Sequence, residues 1–452
     1  MTKKQILKIV YIAVFLLALA VPGAWTFLQK QENIGNEDKT DFSDVTYLNL
    51  SEKIDDYMST GFGFRNRLVQ MNSSLYLNLF GESAETSVIA GKDGWLFYEE
   101  ALHDYMGENV LSDIQAAKIA KVLEIAQTCV EAGGADFIFV SAPNKMEIYG
   151  EYMPYYCYED KSDGNYEKVF DALNKYGVSN VDLKALLRDK AANSEYRIYH
   201  KQDSHWNNLG AAYVYEAVMN KAGLEYVDFV GSGYDIRTDF DGDLYGMLFP
   251  EGNVKDEQVY FNIEGKAYYT SNFRNLDDMI IETANDEMEG TLLMYRDSFG
   301  KSLNYFMAES FGNSVFSRAI PYELTDIADT DLVVIEIVER NLANLLEYPP
   351  VVEAMETEIS TTEAVDIEIS AEITKQSGYN LMVIQAKDMP EECVNVYVRV
   401  GTGEESSVYT AYPCGKNGDA SLYLKDFKED TKVSLIYEYN GKNFETGKIS
   451  VK

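Results

Sequence analysis

Residues 291–300 read TLLMYRDSFG, an apolar stretch followed by a short polar turn. The apolar residues 291–295 predict a buried strand, and the apolar spacing beyond the turn predicts a helix that ends at Gly312. Ser298 therefore lies between the carboxyl end of a strand and the amino end of a helix, where unpaired backbone N–H groups can bind an oxyanion. Serine is also a common helix cap, so a purely structural role for Ser298 remains an alternative.

Other short apolar segments flank this one and alternate with predicted helices, one of which begins with the capping-box pair Ser112 and Gln115. The segments are apolar on both faces, which is typical of a parallel sheet covered by helices. The pattern predicts an α/β fold with its ligand site beyond the carboxyl ends of the strands. The predicted strands are residues 136–140, 180–183, 291–295 and 332–338.

A second polar segment, residues 203–207 (DSHWN), precedes another predicted helix and holds one of the chain's three histidines. Asp203 and His205 are two residues apart, so their side chains can face the same side of an extended or turning segment. The carboxylate can then fix the tautomer of the imidazole and leave its other nitrogen free to act as a base. Asp203, His205 and the nucleophile Ser298 are therefore the candidate catalytic residues.

Several short blocks follow one another along the chain: 94–98 (GWLFY), 143–145 (PNK), 181–183 (VDL), 203–207 (DSHWN), 297–300 (DSFG) and 339–340 (ER). Their order and spacing over about residues 85–345 resemble the alginate O-acetyltransferase AlgX/AlgJ-like family and the related DHHW proteins, which have an SGNH-hydrolase-like fold. The order Asp, His, Ser also agrees with this family and differs from that of typical SGNH esterases.

The resemblance implies an extracytoplasmic acetyl transfer to a cell-surface or secreted polysaccharide, in which Ser298 carries the acetyl group, His205 is the base and Asp203 orients it. If water accepts the acetyl group, the protein is a polysaccharide O-acetylesterase. A non-catalytic polysaccharide-binding or assembly protein is a third alternative. The resemblance implies no cofactor, and family members commonly work beside a membrane-bound O-acyltransferase that supplies the acetyl group.

Four further residues are candidates for substrate binding: Lys145, Trp206, Arg296 and Arg340. Arg296 stands where the family often has a glycine before Asp-Ser, and its side chain could crowd the oxyanion site. Residues 239–243 (DFDGD) space carboxylates like a calcium loop, but they lack the glycine after the third acid, and Pro250 occupies the last ligand position. No metal site is therefore predicted.

The composition pattern changes after Pro349 and Pro350 to short alternating strands separated by turns. Residues 355–452 are therefore predicted to form an all-β sandwich, a possible glycan-binding or interaction module. The SGNH-hydrolase-like domain is assigned to residues 85–350, and a juxtamembrane stalk and lead-in to residues 31–84.

The N-terminal residues 1–30 contain an apolar run, residues 6–28, that is long enough to cross a bilayer as a helix. Lys3, Lys4 and Lys8 precede or begin this run, so the positive-inside rule predicts a single-pass anchor with the body on the extracytoplasmic side. Residues 18–20 (ALA) resemble a signal-peptide cleavage site, which leaves a cleaved signal peptide as the alternative.

The 452 residues carry a net charge of −35, which disfavours nucleic acid as a partner and favours neutral or cationic ones. The four cysteines show no C-x-x-C spacing, which argues against a zinc cluster or a disulfide scaffold. Cys393 and Cys414 lie in the same predicted domain, where they could pair.

Overall fold

The structure of the protein is a computed structural model, which describes residues 3–28, 46, 51, 53, 65–157, 164–428 and 430–451. An N-terminal helix, an α/β domain and a strand-rich C-terminal region follow one another along the chain. The described α-helices are Lys3–Leu28, Arg65–Phe80, Leu102–Tyr105, Asp113–Ala132, Lys145–Ile148, Asn165–Tyr176, Leu183–Asn193, Asn208–Ala222, Asp243–Leu248, Gly300–Ala308 and Asn344–Glu347.

A seven-stranded sheet forms the centre of the α/β domain. Its strands lie in the order Asn180–Val181, Asp136–Ala142, Leu332–Val338, Thr291–Tyr295, Asn313–Ser317, Ile280–Ala284 and Tyr268–Tyr269. The first five pair in parallel, as the sequence predicts. The last two join by antiparallel pairing, so the prediction of a wholly parallel sheet is wrong at this edge. These two strands are partly exposed, and antiparallel strands tolerate solvent on one face.

The three central strands, Asp136–Ala142, Leu332–Val338 and Thr291–Tyr295, consist mostly of buried residues. Parallel pairing brings their carboxyl ends to one edge of the sheet, where the functional blocks of the sequence begin. The helix Asp113–Ala132 starts with the predicted capping box, because Gln115 N donates to Ser112 Oγ and Ser112 N donates to the Gln115 side chain.

Two antiparallel pairs of strands lie outside the central sheet and carry loops of the site. One joins Val88–Ala90 to Leu96–Tyr98, and the other joins Tyr234–Phe240 to Asp256–Phe261. The segment with Asp203 and His205 is held by an isolated bridge between Tyr199 and Trp206, just before the helix Asn208–Ala222.

The C-terminal region contains a seven-stranded sheet and a three-stranded sheet. In the larger sheet, the short strand Ile449–Ser450 pairs with Lys432–Tyr439 outside the main strand order. Residues of both sheets, including Met382 and Leu422 of the smaller and Val398 and Leu435 of the larger, share one hydrophobic cluster. The strands are Glu356–Thr357, Glu363–Ala364, Ile369–Gln376, Tyr379–Ala386, Val396–Val400, Ser407–Ala411, Ala420–Leu424, Lys432–Tyr439, Lys442–Glu445 and Ile449–Ser450.

The strand-rich region packs directly on the α/β domain. Tyr412, Cys414 and Tyr423 belong to the same buried cluster as Tyr322 and Leu345 of the α/β domain. The predicted boundary between residues 350 and 355 therefore coincides with an apolar contact, and separate folding of the two parts stays a prediction.

The N-terminal segment forms the helix Lys3–Leu28, whose side chains are described only as far as Leu16. Within the described residues, no helix is both long and apolar enough to cross a membrane. The predicted stalk lies largely outside the described residues, and the helix Arg65–Phe80 falls within its last part. Cys393 and Cys414 do not pair, because they are buried in two different hydrophobic clusters.

Candidate active site

Ser298 lies in the turn between the strand Thr291–Tyr295 and the helix Gly300–Ala308. The residue that caps this helix is Phe299, and no side chain makes a capping hydrogen bond. The Ser298 Oγ atom instead lies 2.8 Å from Nε2 of His205. The geometry therefore argues against the alternative of a structural cap and leaves the hydroxyl bonded to a potential base.

Hydrogen bonds of Asp297 fix the turn that carries Ser298. Its carboxylate accepts from Phe299 N at 2.8 Å and from Val338 N at 2.7 Å, which joins the turn to the neighbouring strand. Asp297 N in turn donates to Oε2 of Glu336 at 3.1 Å. Glu336 is completely buried, and this burial, followed by the charge of Asp297, raises its pKa well above the ordinary value and favours a neutral carboxyl group.

Gly300 is required directly behind this turn. A Cβ atom at this position would lie 2.5 Å from Cβ of Arg296 and 3.1 Å from Oε2 of Glu336. The first distance is too short for a carbon–carbon contact, so a side chain would displace the turn.

The carboxylate of Asp203 lies beside the imidazole of His205, within the reach that the two-residue spacing allows. Nδ1 of His205 lies 2.7 Å from Oδ1 of Asp203, which also accepts the backbone N–H of His205 at 2.9 Å. An ionised carboxylate can only accept, so Nδ1 carries the proton and Nε2 presents its lone pair to the Ser298 hydroxyl. The ring of Phe299 packs edge-on against the imidazole, with 4.7 Å between ring centroids.

The charges around the imidazole outweigh the effect of its burial. Burial alone would lower the pKa of His205, but the hydrogen bond and charge of Asp203, with smaller contributions from Asp243 and Asp297, raise it above the ordinary value. Burial alone would raise the pKa of Asp203, but the hydrogen bond and charge of His205 hold it well below its usual range. The pair therefore favours an anionic Asp203 and an imidazole that readily accepts a proton.

Asp243, the first residue of the helix Asp243–Leu248, is a site residue that sequence reasoning missed. Its carboxylate bonds Ser204 and lies 3.6 Å from Nδ1 of His205. Ligand atoms of Asp203, His205 and Asp243 lie within 4.8 Å of one another, a spacing that could hold a cation. The contacts of these atoms with one another and with Ser204 form a hydrogen-bonded network instead. The carboxylate-rich segment 239–243 was the available signal in the sequence.

The other two histidines are placed elsewhere. His200 is buried, stacks on Phe240 with 3.9 Å between centroids, and has its pKa lowered to about 4 by burial. His103 is exposed and bonds Glu108 at 2.8 Å. Among the residues that the structure describes, only His205 of the three histidines presents a ring nitrogen to a serine hydroxyl in the way that a general base requires.

Three of the four predicted substrate-binding residues are buried in the structure, and for them a direct contact with substrate stays a prediction. Trp206 is fully buried, and its indole N–H donates to the carbonyl of Phe299 at 3.1 Å. Arg296 is buried and donates to the carbonyl oxygens of Asp297 and Leu276, so it supports the turn from behind. Burial lowers the pKa of Arg296 to about 10.

Lys145 is the third of these residues, and it holds three backbone segments together. Its Nζ atom donates to the carbonyl oxygens of Leu96 at 2.6 Å, Lys201 at 2.8 Å and Asp203 at 2.8 Å. Burial lowers the pKa of Lys145 to about 7, against the opposing charge of Asp203. Lys145 therefore acts on the position of the Asp203 backbone and does not face solvent.

Arg340 is the predicted substrate-binding residue that remains partly open to solvent at this edge of the sheet. Its guanidinium lies 5.1 Å above the ring of Tyr98 and 6.0 Å from that of Phe299, and it donates to the Asn144 side chain at 3.3 Å. Phe299 also contacts His205, so Arg340 and the base both lie against one aromatic ring. A cationic donor beside Phe299, the residue that follows Ser298 in the chain, is suited to bind a polar substrate.

The chain is similar in part to known proteins. The family described as "SGNH hydrolase-like domain, acetyltransferase AlgX" matches residues 88–233. A protein of Pseudomonas syringae pv. tomato described as "Probable alginate O-acetylase AlgJ" is 25% identical over 228 residues, which are 48% of this chain. The resemblance to the AlgX/AlgJ-like family is confirmed. The chain spans about half the length of this AlgJ relative, 54%.

Solved structures of AlgX/AlgJ-like and DHHW proteins are also similar in part. A DHHW family protein from Eubacterium siraeum is 17% identical, with a TM-score of 0.42 over 57% of this chain and 95% of that protein. The O-acetyltransferase domain of Pseudomonas putida AlgJ is 15% identical, with a TM-score of 0.39 over 57% of this chain and 92% of that domain.

Proposed function

We propose that the protein is an extracytoplasmic O-acetyltransferase that acetylates a cell-surface or secreted polysaccharide through an acetyl-Ser298 intermediate. The observation that carries this proposal is the hydrogen-bonded chain from Asp203 through His205 to the Ser298 hydroxyl, with 2.7 Å and 2.8 Å between heavy atoms. A nucleophile, a base and an orienting acid within hydrogen-bond reach are the arrangement that acyl transfer through serine requires.

In the first half-reaction, the Ser298 Oγ atom attacks the carbonyl carbon of the acetyl donor while Nε2 of His205 takes the hydroxyl proton. The imidazolium that forms is stabilised by Asp203 at Nδ1. Backbone N–H groups of the turn at Ser298 are the donors we assign to the oxyanion. Two N–H groups near this point already have partners, because Phe299 N donates to the Asp297 carboxylate and Lys301 N to the Ser298 carbonyl. The bond to the leaving group then breaks, the leaving group takes the proton from Nε2, and acetyl-Ser298 remains.

In the second half-reaction, a sugar hydroxyl attacks the acetyl carbon and gives its proton to Nε2 of His205. The bond to Ser298 Oγ breaks, and the serine takes the proton back from the imidazolium. Arg340, partly open to solvent beside Phe299, is the side chain we assign to the polar groups of the substrate. Lys145, Trp206 and Arg296 support the site from the interior.

A test of this function uses the purified full chain in detergent with 4-nitrophenyl acetate as donor and neutral, cationic or acidic oligosaccharides as acceptors. We expect 4-nitrophenol release to rise when an acceptor is added, and mass spectrometry to find the acetyl group on the oligosaccharide. Release that produces acetate alone at every acceptor concentration would identify an esterase. Absence of any turnover above a heat-inactivated sample would favour the non-catalytic binding protein.

We also propose that residues 1–30 anchor the body on the extracytoplasmic face, where a membrane-bound O-acyltransferase could supply the acetyl group. The support is the apolar run of the sequence with three lysines at its start. Protease added to intact spheroplasts is expected to digest the body, and membrane fractions are expected to retain the undigested chain. A body protected from protease, or one released into the medium, would contradict this location.

A further inference from the structure

A second carboxylate residue, Asp243, forms hydrogen bonds with the two residues that precede His205, Asp203 and Ser204. Its Oδ1 atom accepts the backbone N–H of Ser204 at 2.8 Å, and its Oδ2 atom accepts the Ser204 hydroxyl at 2.6 Å. The backbone N–H of Asp243 donates to Oδ2 of Asp203 at 2.9 Å. Three hydrogen bonds therefore join the segment 203–205 to Asp243, which lies 39 residues after Ser204 and 40 residues after Asp203.

Asp243 also faces the proton-bearing side of the imidazole. Its Oδ2 atom lies 3.6 Å from Nδ1 of His205, beyond the hydrogen bond of 2.7 Å that Asp203 makes with the same nitrogen. The Asp203 side chain is 7% exposed and that of Asp243 34%, so Asp243 lies on the side open to solvent. Burial, followed by repulsion from Asp203, raises the pKa of Asp243, as expected for two carboxylates that share one imidazole.

We propose that Asp243 is a positioning residue of the triad, which holds the segment 203–205 in place through Ser204 and adds a second negative charge on the Nδ1 side of His205. The inference deepens the proposed function and rests on it for its kinetic consequences. Its electrostatic consequence concerns the folded protein alone and does not require an acetyl donor.

The sign of the effect follows from the charges that face His205. The charged and titratable groups that act on the imidazole or on its partner Asp203 are Asp203, Asp243, Asp297, Lys145 and His200. Removing the negative charge of Asp243 leaves the imidazolium less stabilised, so the pKa of His205 falls. At a separation of 3.6 Å in a partly solvated site, the expected fall is about one pH unit.

The test compares Asp243→Asn with Asp241→Asn. Asparagine keeps an acceptor and a donor for Ser204 and removes the charge. Asp241 is 81% exposed and pairs with Lys255, so its substitution removes the same charge two residues away without touching the triad. The full chain is labelled at the histidine Cε1 atoms, and the pKa of each of the three imidazoles is measured by NMR. The His205 signal is assigned by its loss in His205→Gln.

We expect Asp243→Asn to lower the pKa of His205 by about one unit and to leave His103 unchanged. We expect Asp241→Asn to change the pKa of His205 much less. An unchanged pKa of His205 in Asp243→Asn, or an equal fall in both variants, would overturn the proposal. The NMR measurement needs no turnover. If the protein shows no acetyl transfer, the proposed function fails, but the pKa values still decide the role of Asp243.

Kinetics supply the second measurement. General-base catalysis needs a neutral His205, so kcat/KM falls as pH drops below the pKa of this residue. The acidic limb of the profile should move to lower pH in Asp243→Asn by the same amount as the NMR value. Asp243→Glu keeps the charge but cannot hold both hydrogen bonds to Ser204. The acidic limb of its kcat/KM profile should therefore stay at the wild-type pH while kcat falls. A limb that moves equally in Asp243→Glu would contradict the electrostatic role.

Discussion

Replacing Ser298 by alanine is expected to reduce acetyl turnover to background, a loss on the order of a millionfold where the members of a triad act as a unit. The Ser298 hydroxyl is bonded to Nε2 of His205, and the substitution removes the atom that would carry the acetyl group. Folding should be nearly unaffected, because the Ser298 side chain does not cap the helix Gly300–Ala308. A lost cap would instead cost about 1 kcal/mol of stability.

The measurement is acetyl turnover together with the melting temperature, with Ser302→Ala as a matched control. Ser302 is another half-buried serine, and it lies within the helix Gly300–Ala308. We expect Ser302→Ala to keep its turnover and Ser298→Ala to keep its melting temperature. Wild-type turnover in Ser298→Ala, or a loss explained by unfolding, would remove the catalytic assignment and favour the binding-protein alternative.

The parts of the site that the sequence predicts are those that depend on local geometry. Ser298 follows a buried strand and precedes a helix, so it lies at the carboxyl edge of the sheet whatever position the strand takes in the strand order. The two-residue spacing of Asp203 and His205 brings their side chains together within a single turn. Both features follow from covalent connectivity over a few residues, so a single sequence was enough to predict them.

The parts that the sequence does not predict depend on packing between distant segments. Lys145 and Arg296 carry charges that usually lie on the surface, but here backbone carbonyl oxygens satisfy them in the interior. A tryptophan can stack on a sugar or pack in a core, and the Trp206 side chain packs in the core against Phe299. Asp243 lies 40 residues beyond Asp203, between the paired strands Tyr234–Phe240 and Asp256–Phe261. No short-range pattern encodes such contacts.

The edge of the central sheet illustrates the same limit. Ile280–Ala284 pairs with Asn313–Ser317 although the two strands are far apart in sequence, and each contains polar or exposed residues. Their composition alone does not distinguish a partly exposed strand from a loop, because such a strand needs only one apolar face. The apolar strand Leu332–Val338, buried throughout, gives a much stronger signal and is predicted with its observed bounds.

Replacing Asp203 by asparagine is expected to reduce kcat by up to about ten-thousandfold, the effect of the same change in a well-studied serine protease. The asparagine can turn its NH₂ group toward Nδ1 of His205, which favours the tautomer with its proton on Nε2. The base then offers a proton to Ser298 where it should offer a lone pair. The new amide side chain has nearly the shape of the original carboxylate, so the melting temperature should change far less than the rate.

Asp243 makes a further outcome of this substitution measurable. Its Oδ2 atom lies 3.6 Å from Nδ1 of His205, so a small rotation of the imidazole in Asp203→Asn could bring the two into hydrogen-bond contact and restore part of the correct tautomer. We therefore expect the double variant Asp203→Asn/Asp243→Asn to lose more activity than the product of the two single losses. Residues that share one proton network are expected to couple in this way. A double variant whose loss equals that product would show that Asp243 does not replace Asp203, and the loss in Asp203→Asn would then measure the orienting effect of Asp203 alone.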